Sequence, residues 1–479
     1  MKFNIGQGGE VKVLNVFKDA EKVKDAKELY DYLKEKELFK GNLGEIYSNI
    51  SYTGDNVILV GLGEEDKVNL QALRTAYAKV GKELMKSKIK SVDIVVPKFE
   101  NLDYDKTIGA IVEGLLQSEY SYEKYLSEKK TKPCLENVYL DILDGQENLA
   151  KEVIEEIENL IEGIFLTRDL VNEPAMYMTP EALADTAKDE LEELGVNVEV
   201  YNKKEIEELG MWAFLAVAEG SVNEPKLIIM DYNGDPDSDE KLALVGKGLM
   251  YDSGGYSLKS SSSMVYMQGD MAGAASVIGA IKALAKTKVK KNVVGVVAAC
   301  ENLVSGGAYK PGDIVESMSG KTIEVLNTDA EGRVTLADAL WYAATEVKAD
   351  KIVDIATLTG ACVVALGNVN TGAITNDEKL MANVKKASEL AGEPVWELPH
   401  NEEYREAIKG KFADLTNTAK NRGAGTITAG LFLEEFVNDV PWVHLDIAGT
   451  SSSKSEISYL PKGATGVPVK TLYYLAKEF

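Results

Sequence analysis

The heptapeptide Asn327-Thr-Asp-Ala-Glu-Gly-Arg333 sets two carboxylates, Asp329 and Glu331, two residues apart, with an arginine two further on. In an extended chain that spacing turns both acids the same way, within reach of Arg333. They repel each other unless a cation lies between them. Two other segments carry isolated charge in apolar, glycine-rich surroundings. From Val245 to Lys259 the only charged residues are Lys247, Asp252 and Lys259, and from Met267 to Ser276 the only one is Asp270. Each segment also has a plainer reading: a salt bridge at a strand end, an N-terminal helix cap at Asp270, and a solvated acidic loop at 327–333. Read together, Asp252, Asp270, Asp329 and Glu331 offer a set of negative charges that two divalent cations neutralise. Two such ions ~3.5–4 Å apart, sharing a water that becomes a nucleophile near neutral pH, make a hydrolytic centre.

The elements around these segments are those of an α/β chain. Leu242 to Val245 reads as a buried strand running straight into the lysine–aspartate segment. Asp270 opens a small-residue helix reaching Ala285. Thr322 to Leu326 reads as a strand before the heptapeptide, and Val334 to Ala344 as the helix after it. Sites of open α/β sheets sit at such strand ends. Further near-continuous apolar runs, Lys226 to Met230, Asn292 to Ala299 and Lys351 to Ile355, predict a sheet covered on both faces. Residues 1–150 alternate shorter strands (Val57 to Val60, Val92 to Val96) with helices (Leu70 to Ser87) and predict a smaller α/β domain. An apolar helical pattern over 151–172 predicts a linking helix, and 173–479 the larger catalytic domain. Gly61-Leu-Gly63 lacks the third glycine of a dinucleotide loop and meets Glu64-Glu65-Asp66, so it reads as a strand-end turn.

Composition removes several alternatives. With 53 basic and 77 acidic residues in 479, the formal charge is −24, and both halves of the chain are acidic. That is the wrong sign for phosphate neutralisation and disfavours nucleic acid as a partner. Three cysteines with no C-x-x-C spacing exclude a disulfide framework or thiolate cluster, and two histidines exclude a three-histidine metal centre. Metal binding therefore falls to oxygen ligands, which suit zinc, manganese or magnesium. Ser319-Gly-Lys-Thr322 mimics a P-loop tail, but Val315 stands where the first glycine is required. No G-x-S-x-G elbow is present, and His444, alternating along an apolar run, reads as a structural histidine. Met1-Lys-Phe-Asn-Ile-Gly has no signal-peptide core and no run reaches the length of a membrane span, which predicts a cytoplasmic protein.

The heptapeptide, together with Gly246-Lys247 through Lys259, resembles the leucyl aminopeptidase (cytosol aminopeptidase) family. So do Arg168-Asp-Leu-Val-Asn-Glu-Pro174, Ser317 to Thr322, Ala356-Thr-Leu-Thr-Gly-Ala361 and His444-Leu-Asp-Ile-Ala-Gly449; the resemblance weakens before about residue 165. It implies a two-metal exopeptidase, with manganese or zinc, that removes N-terminal residues, leucine and other apolar ones, from peptides. Lys247, Asp252, Asp270, Asp329 and Glu331 fall on the family's metal ligands, Lys247 as a neutral amine. Lys259 and Arg333 fall on the catalytic pair: Lys259 polarises the scissile carbonyl and Arg333 holds a bicarbonate that acts as general base. Met267, Asn327, Thr357 and Leu358 match substrate-contacting positions. The resemblance further implies a homohexamer. Ser260 stands where the family usually has proline, Val265 where it often has an acid, and Gln268-Gly269 where it often has a basic or aromatic pair; these differences bear on side-chain preference.

Overall fold

Six short strands with alternating or continuous burial open the chain: β1 (Lys2–Ile5), β2 (Val11–Phe17), β3 (Ile46–Asn49), β4 (Val57–Gly63), β5 (Ser91–Val95) and β6 (Asn137–Asp141). The computed structural model describes residues 1–18, 20, 23–51, 56–129, 134–420 and 423–479. The six strands form one sheet in the order β1-β6-β5-β2-β4-β3, parallel except for the β3–β4 edge pair. Helix Leu70–Lys86 begins where the Asn69 side chain accepts from Ala72 N (2.9 Å), a cap that removes one unpaired N–H. Its buried face, Leu73, Ala76, Tyr77, Val80 and Leu84, packs on the sheet and on helix Tyr104–Gln117. Gly61-Leu-Gly63 forms the C-terminal end of β4.

The chain separates into two compact units, residues 1–161 with 455–461 and residues 162–454 with 462–479. One helix, Glu147–Asn172, contains the first boundary. The larger unit is built on β7 (Asn197–Tyr201), β8 (Lys226–Asn233), β9 (Lys241–Asp252), β10 (Asn292–Asn302), β11 (Ile314–Glu316), β12 (Thr322–Glu324), β13 (Lys351–Ala356), β14 (Thr371–Thr375), β15 (Val395–Glu397), β16 (Leu415–Thr416) and β17 (Trp442–Asp446). Eight of these make a mixed sheet in the order β15-β14-β17-β13-β9-β10-β8-β7; β11, β12 and β16 form a small separate sheet. The central strands β17, β13, β9 and β10 run parallel, so their C-terminal ends open on one edge. Helix Ala272–Lys286 and helix Gly332–Thr345 both pack on β9. The two α/β units, the larger with a mixed sheet flanked by helices, have the expected architecture. No helix among the described residues is long and apolar enough to cross a membrane.

The glycine-rich stretch after Val245 is not a loop at a strand end: β9 continues to Asp252 and carries Lys247 within it. The glycines serve packing. A Cβ on Gly246 would lie 2.6 Å from Ala274 Cα, so its absence lets helix Ala272–Lys286 press against the strand backbone.

Candidate metal centre

Lys247 alternates along β9 with Ala243, Val245 and Leu249, all in the apolar core, and is itself 3 % exposed. A buried ammonium in such a row needs acceptors. Its Nζ donates to Glu331 Oε1 (2.9 Å) and to the Thr357 carbonyl (3.1 Å), and lies 2.9 Å from Asp270 Oδ2. Gly332 makes room for it, since a Cβ there would sit 2.6 Å from both Lys247 Cε and Nζ. At the end of the same strand, Asp252 Oδ1 accepts from Gly254 N and Asn302 Nδ2, both at 2.8 Å. Asp252 Oδ2 is 2.7 Å from Lys259 Nζ, which also meets Asp329 Oδ1.

Asp270 caps nothing. It lies in a 3-10 turn, Met267–Met271, with the helix starting only at Ala272, and its Oδ1 accepts from Thr357 Oγ1 at 2.6 Å. The Asp329–Glu331 segment is a turn where an extended chain was expected, with Glu331 in helical conformation (φ −78, ψ −35). The carboxylates nevertheless share one space: ligand oxygens of Asp252, Asp329 and Glu331 all lie within 4.8 Å of one another. The turn is held by Asn327 Oδ1, which accepts from Asp329 N (2.9 Å). Buried Asn417 holds it too, accepting from Leu326 N (2.9 Å) and donating to the Asn327 carbonyl (2.6 Å).

The structure therefore joins Lys247, Asp252, Lys259, Asp270, Asp329, Glu331 and Thr357 in one network. Arg333, 8 % exposed, opens the helix behind Glu331 and feels the charges of Glu331 and Asp446. Asn327 enters through its turn, Leu358 through its N–H to Asp446 Oδ1 (3.2 Å), and Met267 only by sharing the 3-10 turn of Asp270. The sequence reading assigned no role to Asn302, Asn417 and Asp446, all fully buried. Two of them carried a visible signal: Asn302 ends an apolar run and Asp446 follows one, the pattern that singled out Asp252. His444 is the structural histidine expected, with Nδ1 2.6 Å from Asp354 Oδ1 in the core.

Acids outnumber lysines here, and the electrostatics reflect it. Burial pushes the Glu331 carboxyl up to about 8 and Asp270 up to about 6; nearby Asp252 adds to both, while Lys247 opposes. Burial also raises Asp329. Burial disfavours both ammonium groups, yet Asp270, Glu331 and Asp252 hold Lys247 above its ordinary range, and Asp252 and Asp329 do the same for Lys259. Each lysine keeps its proton because acids surround it, and burial, reinforced by the neighbouring carboxylates, favours the protonated form of Glu331 and Asp270. Burial lowers Arg333 to about 10. Glu331 Oε2 and Arg333 Nε are buried without a hydrogen-bond partner among the described residues. Asp270 Oδ2 and Asp329 Oδ1 face their lysines without a well-directed hydrogen bond. The unpartnered oxygens of Glu331, Asp270 and Asp329 are hard donors, which fit divalent cations of the manganese, magnesium or zinc type.

Residues 165–473 match the cytosol aminopeptidase family catalytic domain, and residues 13–129 its N-terminal domain. A probable cytosol aminopeptidase of Clostridium tetani is 65 % identical over 479 residues, covering 100 % of this chain and 99 % of the relative. One of Treponema denticola is 49 % identical over 481 residues, covering 100 % of both. Among solved structures, a tomato leucine aminopeptidase mutant aligns with TM-score 0.89 and 34 % identity, over 100 % of this chain and 96 % of that one. The bottromycin maturation enzyme BotP in complex with Mn aligns with TM-score 0.88 and 32 % identity, over 98 % of this chain and 99 % of that one.

Proposed function

From its membership of the cytosol aminopeptidase family, which makes the chain a metal-dependent aminopeptidase acting on peptides, we propose the following division of labour. Lys247, Asp252, Asp270, Asp329 and Glu331 hold two divalent cations, manganese or zinc. The observation that carries this is the convergence of Asp252, Asp329 and Glu331 oxygens within 4.8 Å, two lysines beside them and unsatisfied lone pairs among them. Bound cations would supply Lewis acidity and a water activated near neutral pH. Lys247 would enter as a neutral amine, its proton displaced by the incoming positive charge.

The chain's own groups do the rest. Lys259, kept protonated by Asp252 and Asp329 and 15 % exposed in its side chain, faces the site as the electrophile that polarises the scissile carbonyl and steadies its developing negative charge. Arg333, with an unpartnered buried Nε, holds a bicarbonate base. Thr357 braces Asp270 through its hydroxyl and Lys247 through its carbonyl, and Leu358 presents its backbone beside them. Met267 and Leu358 offer apolar surface to a leucine-like first side chain, and Asn327 shapes the rim. The same reading carries a division into an N-terminal domain (1–150), a linking helix (151–172) and a catalytic domain (173–479), a homohexameric assembly and a cytoplasmic location.

Manganese-loaded protein is expected to hydrolyse leucine anilide, to lose activity on chelation and to regain it with manganese or zinc. It should leave N-acetyl-leucine anilide intact, because a blocked amine cannot occupy an exopeptidase site. Equal turnover of the blocked substrate would overturn the exopeptidase reading, and activity in the presence of chelator would overturn the two-cation reading.

A further inference from the structure

We infer that Asn302 is a positioning residue for the cation centre: it locks the Asp252 carboxylate to the turn that carries Asp329 and Glu331. The inference rests on the two-cation reading above. Asn302 ends β10, is 0 % exposed, and pairs in register with Asp252 at the end of β9. Its Nδ2 donates both hydrogens, one to Asp252 Oδ1 (2.8 Å) and one to the carbonyl of Thr328 (2.9 Å), the residue before Asp329. Exchanging the amide's nitrogen and oxygen would set its carbonyl against two other oxygens, so the donor direction is forced. The Asn302 main chain is fixed as well, its carbonyl accepting from Ser253 N (3.0 Å) and Ser253 Oγ (2.8 Å).

The consequence is chemical. Gly254 N and Asn302 Nδ2 together occupy Asp252 Oδ1, which leaves Oδ2 as the oxygen turned to Lys259. The Asn302 amide thus acts with Gly254 N to fix the Asp252 carboxylate, and it ties that carboxylate to the turn carrying Asp329. Tyr309 also donates to the Thr328 carbonyl (3.1 Å) and Gly254 N to Asp252 Oδ1, so what Asn302 adds is one amide bonded to both at once. Groups that orient ligands in this way affect metal affinity by ~10–100-fold.

Asn292, at the opposite end of the same strand, provides the control. It is 5 % exposed and makes a comparable set of bonds, donating to the Asp235 (3.0 Å) and Ser238 (2.7 Å) carbonyls and accepting from Asp235 N (2.9 Å). It touches none of the proposed ligands. The experiment is calorimetric titration of chelator-stripped, full-length protein with manganese ion alone. Asn302→Ala is expected to weaken manganese binding by ~10–100-fold, while Asn292→Ala stays within about threefold of native. Native-like affinity in Asn302→Ala, or an equal loss in both variants, overturns the inference. Should the alanine variant not fold, Asn302→Asp is isosteric and, ionised, cannot donate: weaker binding supports positioning, whereas tighter binding, as added negative charge alone would give, overturns it. If the native protein takes up no manganese, the two-cation reading fails and this inference falls with it.

Discussion

Gly332→Ala adds a single methyl group at the tightest point of the centre. Its Cβ would lie 2.6 Å from Lys247 Cε and Nζ and 2.9 Å from Cδ, where ordinary contacts begin at 3.4 Å. The lysine end must therefore move by about 0.8 Å, and its surroundings are packed too densely to absorb that freely. Its Nζ is held at 2.9 Å from Glu331 Oε1, 2.9 Å from Asp270 Oδ2 and 3.1 Å from the Thr357 carbonyl, in a side chain 3 % exposed. Displacement on the 1 Å scale within a catalytic constellation costs ~10²-fold in rate. Stability should respond less: overpacking costs ~1–3 kcal/mol, partly offset by up to ~1 kcal/mol from replacing glycine in a helix. The assay is kcat/KM on leucine anilide at saturating manganese, alongside a thermal melt. A folded variant with about a hundredfold loss is expected. A variant that keeps kcat/KM within about threefold of native would refute the claim that Lys247 needs this exact berth.

Two further outcomes follow from other parts of the site and one from the core beside it. Lys259→Ala should lower kcat by ~10²–10³-fold without weakening manganese binding, because the ammonium it removes competes with cations for Asp252 and Asp329; a loss below about tenfold contradicts its electrophilic role. Thr357→Val removes the 2.6 Å bond to Asp270 Oδ1 and should weaken manganese binding measurably in calorimetry with little change in the melt of the metal-free protein. Asp338, buried in helix Gly332–Thr345, accepts from Phe214 N (2.8 Å) and Met318 N (2.7 Å), and burial outweighs those bonds and raises its carboxyl from 3.8 to about 7. A raised acid binds its proton more tightly in the folded state, so this group's contribution to stability is present at low pH and is lost as pH rises from about 3.8 to about 7. Asp338→Asn should therefore be more destabilised against native near pH 4 than near pH 8 in denaturant titrations; a difference independent of pH would refute the assignment.

Much of the centre was legible because its chemistry is local and its surroundings are unusual. Lys247, Asp252, Asp270, Asp329 and Glu331 stood out as isolated charges in apolar or glycine-rich stretches, and such charges in a folded chain seldom lack a partner. The buried parallel strands were equally plain, since continuous runs such as Asn292 to Ala299 have few other places to go. Two things were hidden. One is backbone path: β9 runs through Gly246 and Gly248 to Asp252, because helix Ala272–Lys286 approaches closely enough to need glycine, a tertiary fact that local pattern reads as a loop. The other is the hydrogen-bonding scaffold of the site. Asn302, Asn417 and Asp446 act by hydrogen bonds across 26 to 91 residues of chain, so although Asn302 and Asp446 stand out beside apolar runs, their partners show only once the elements are assembled. The extended geometry expected for Asp329-x-Glu331 also yielded to a turn, held by Asn327 and Asn417, that brings the same carboxylates together by a different route.

The most direct test of the two-cation centre is anomalous diffraction from crystals of the full chain soaked in manganese, collected above and below the manganese edge. Two anomalous peaks per chain, both bordered by Asp252, Asp270, Asp329, Glu331 and Lys247, are the predicted result. A single peak, or peaks bound by other side chains, would contradict it.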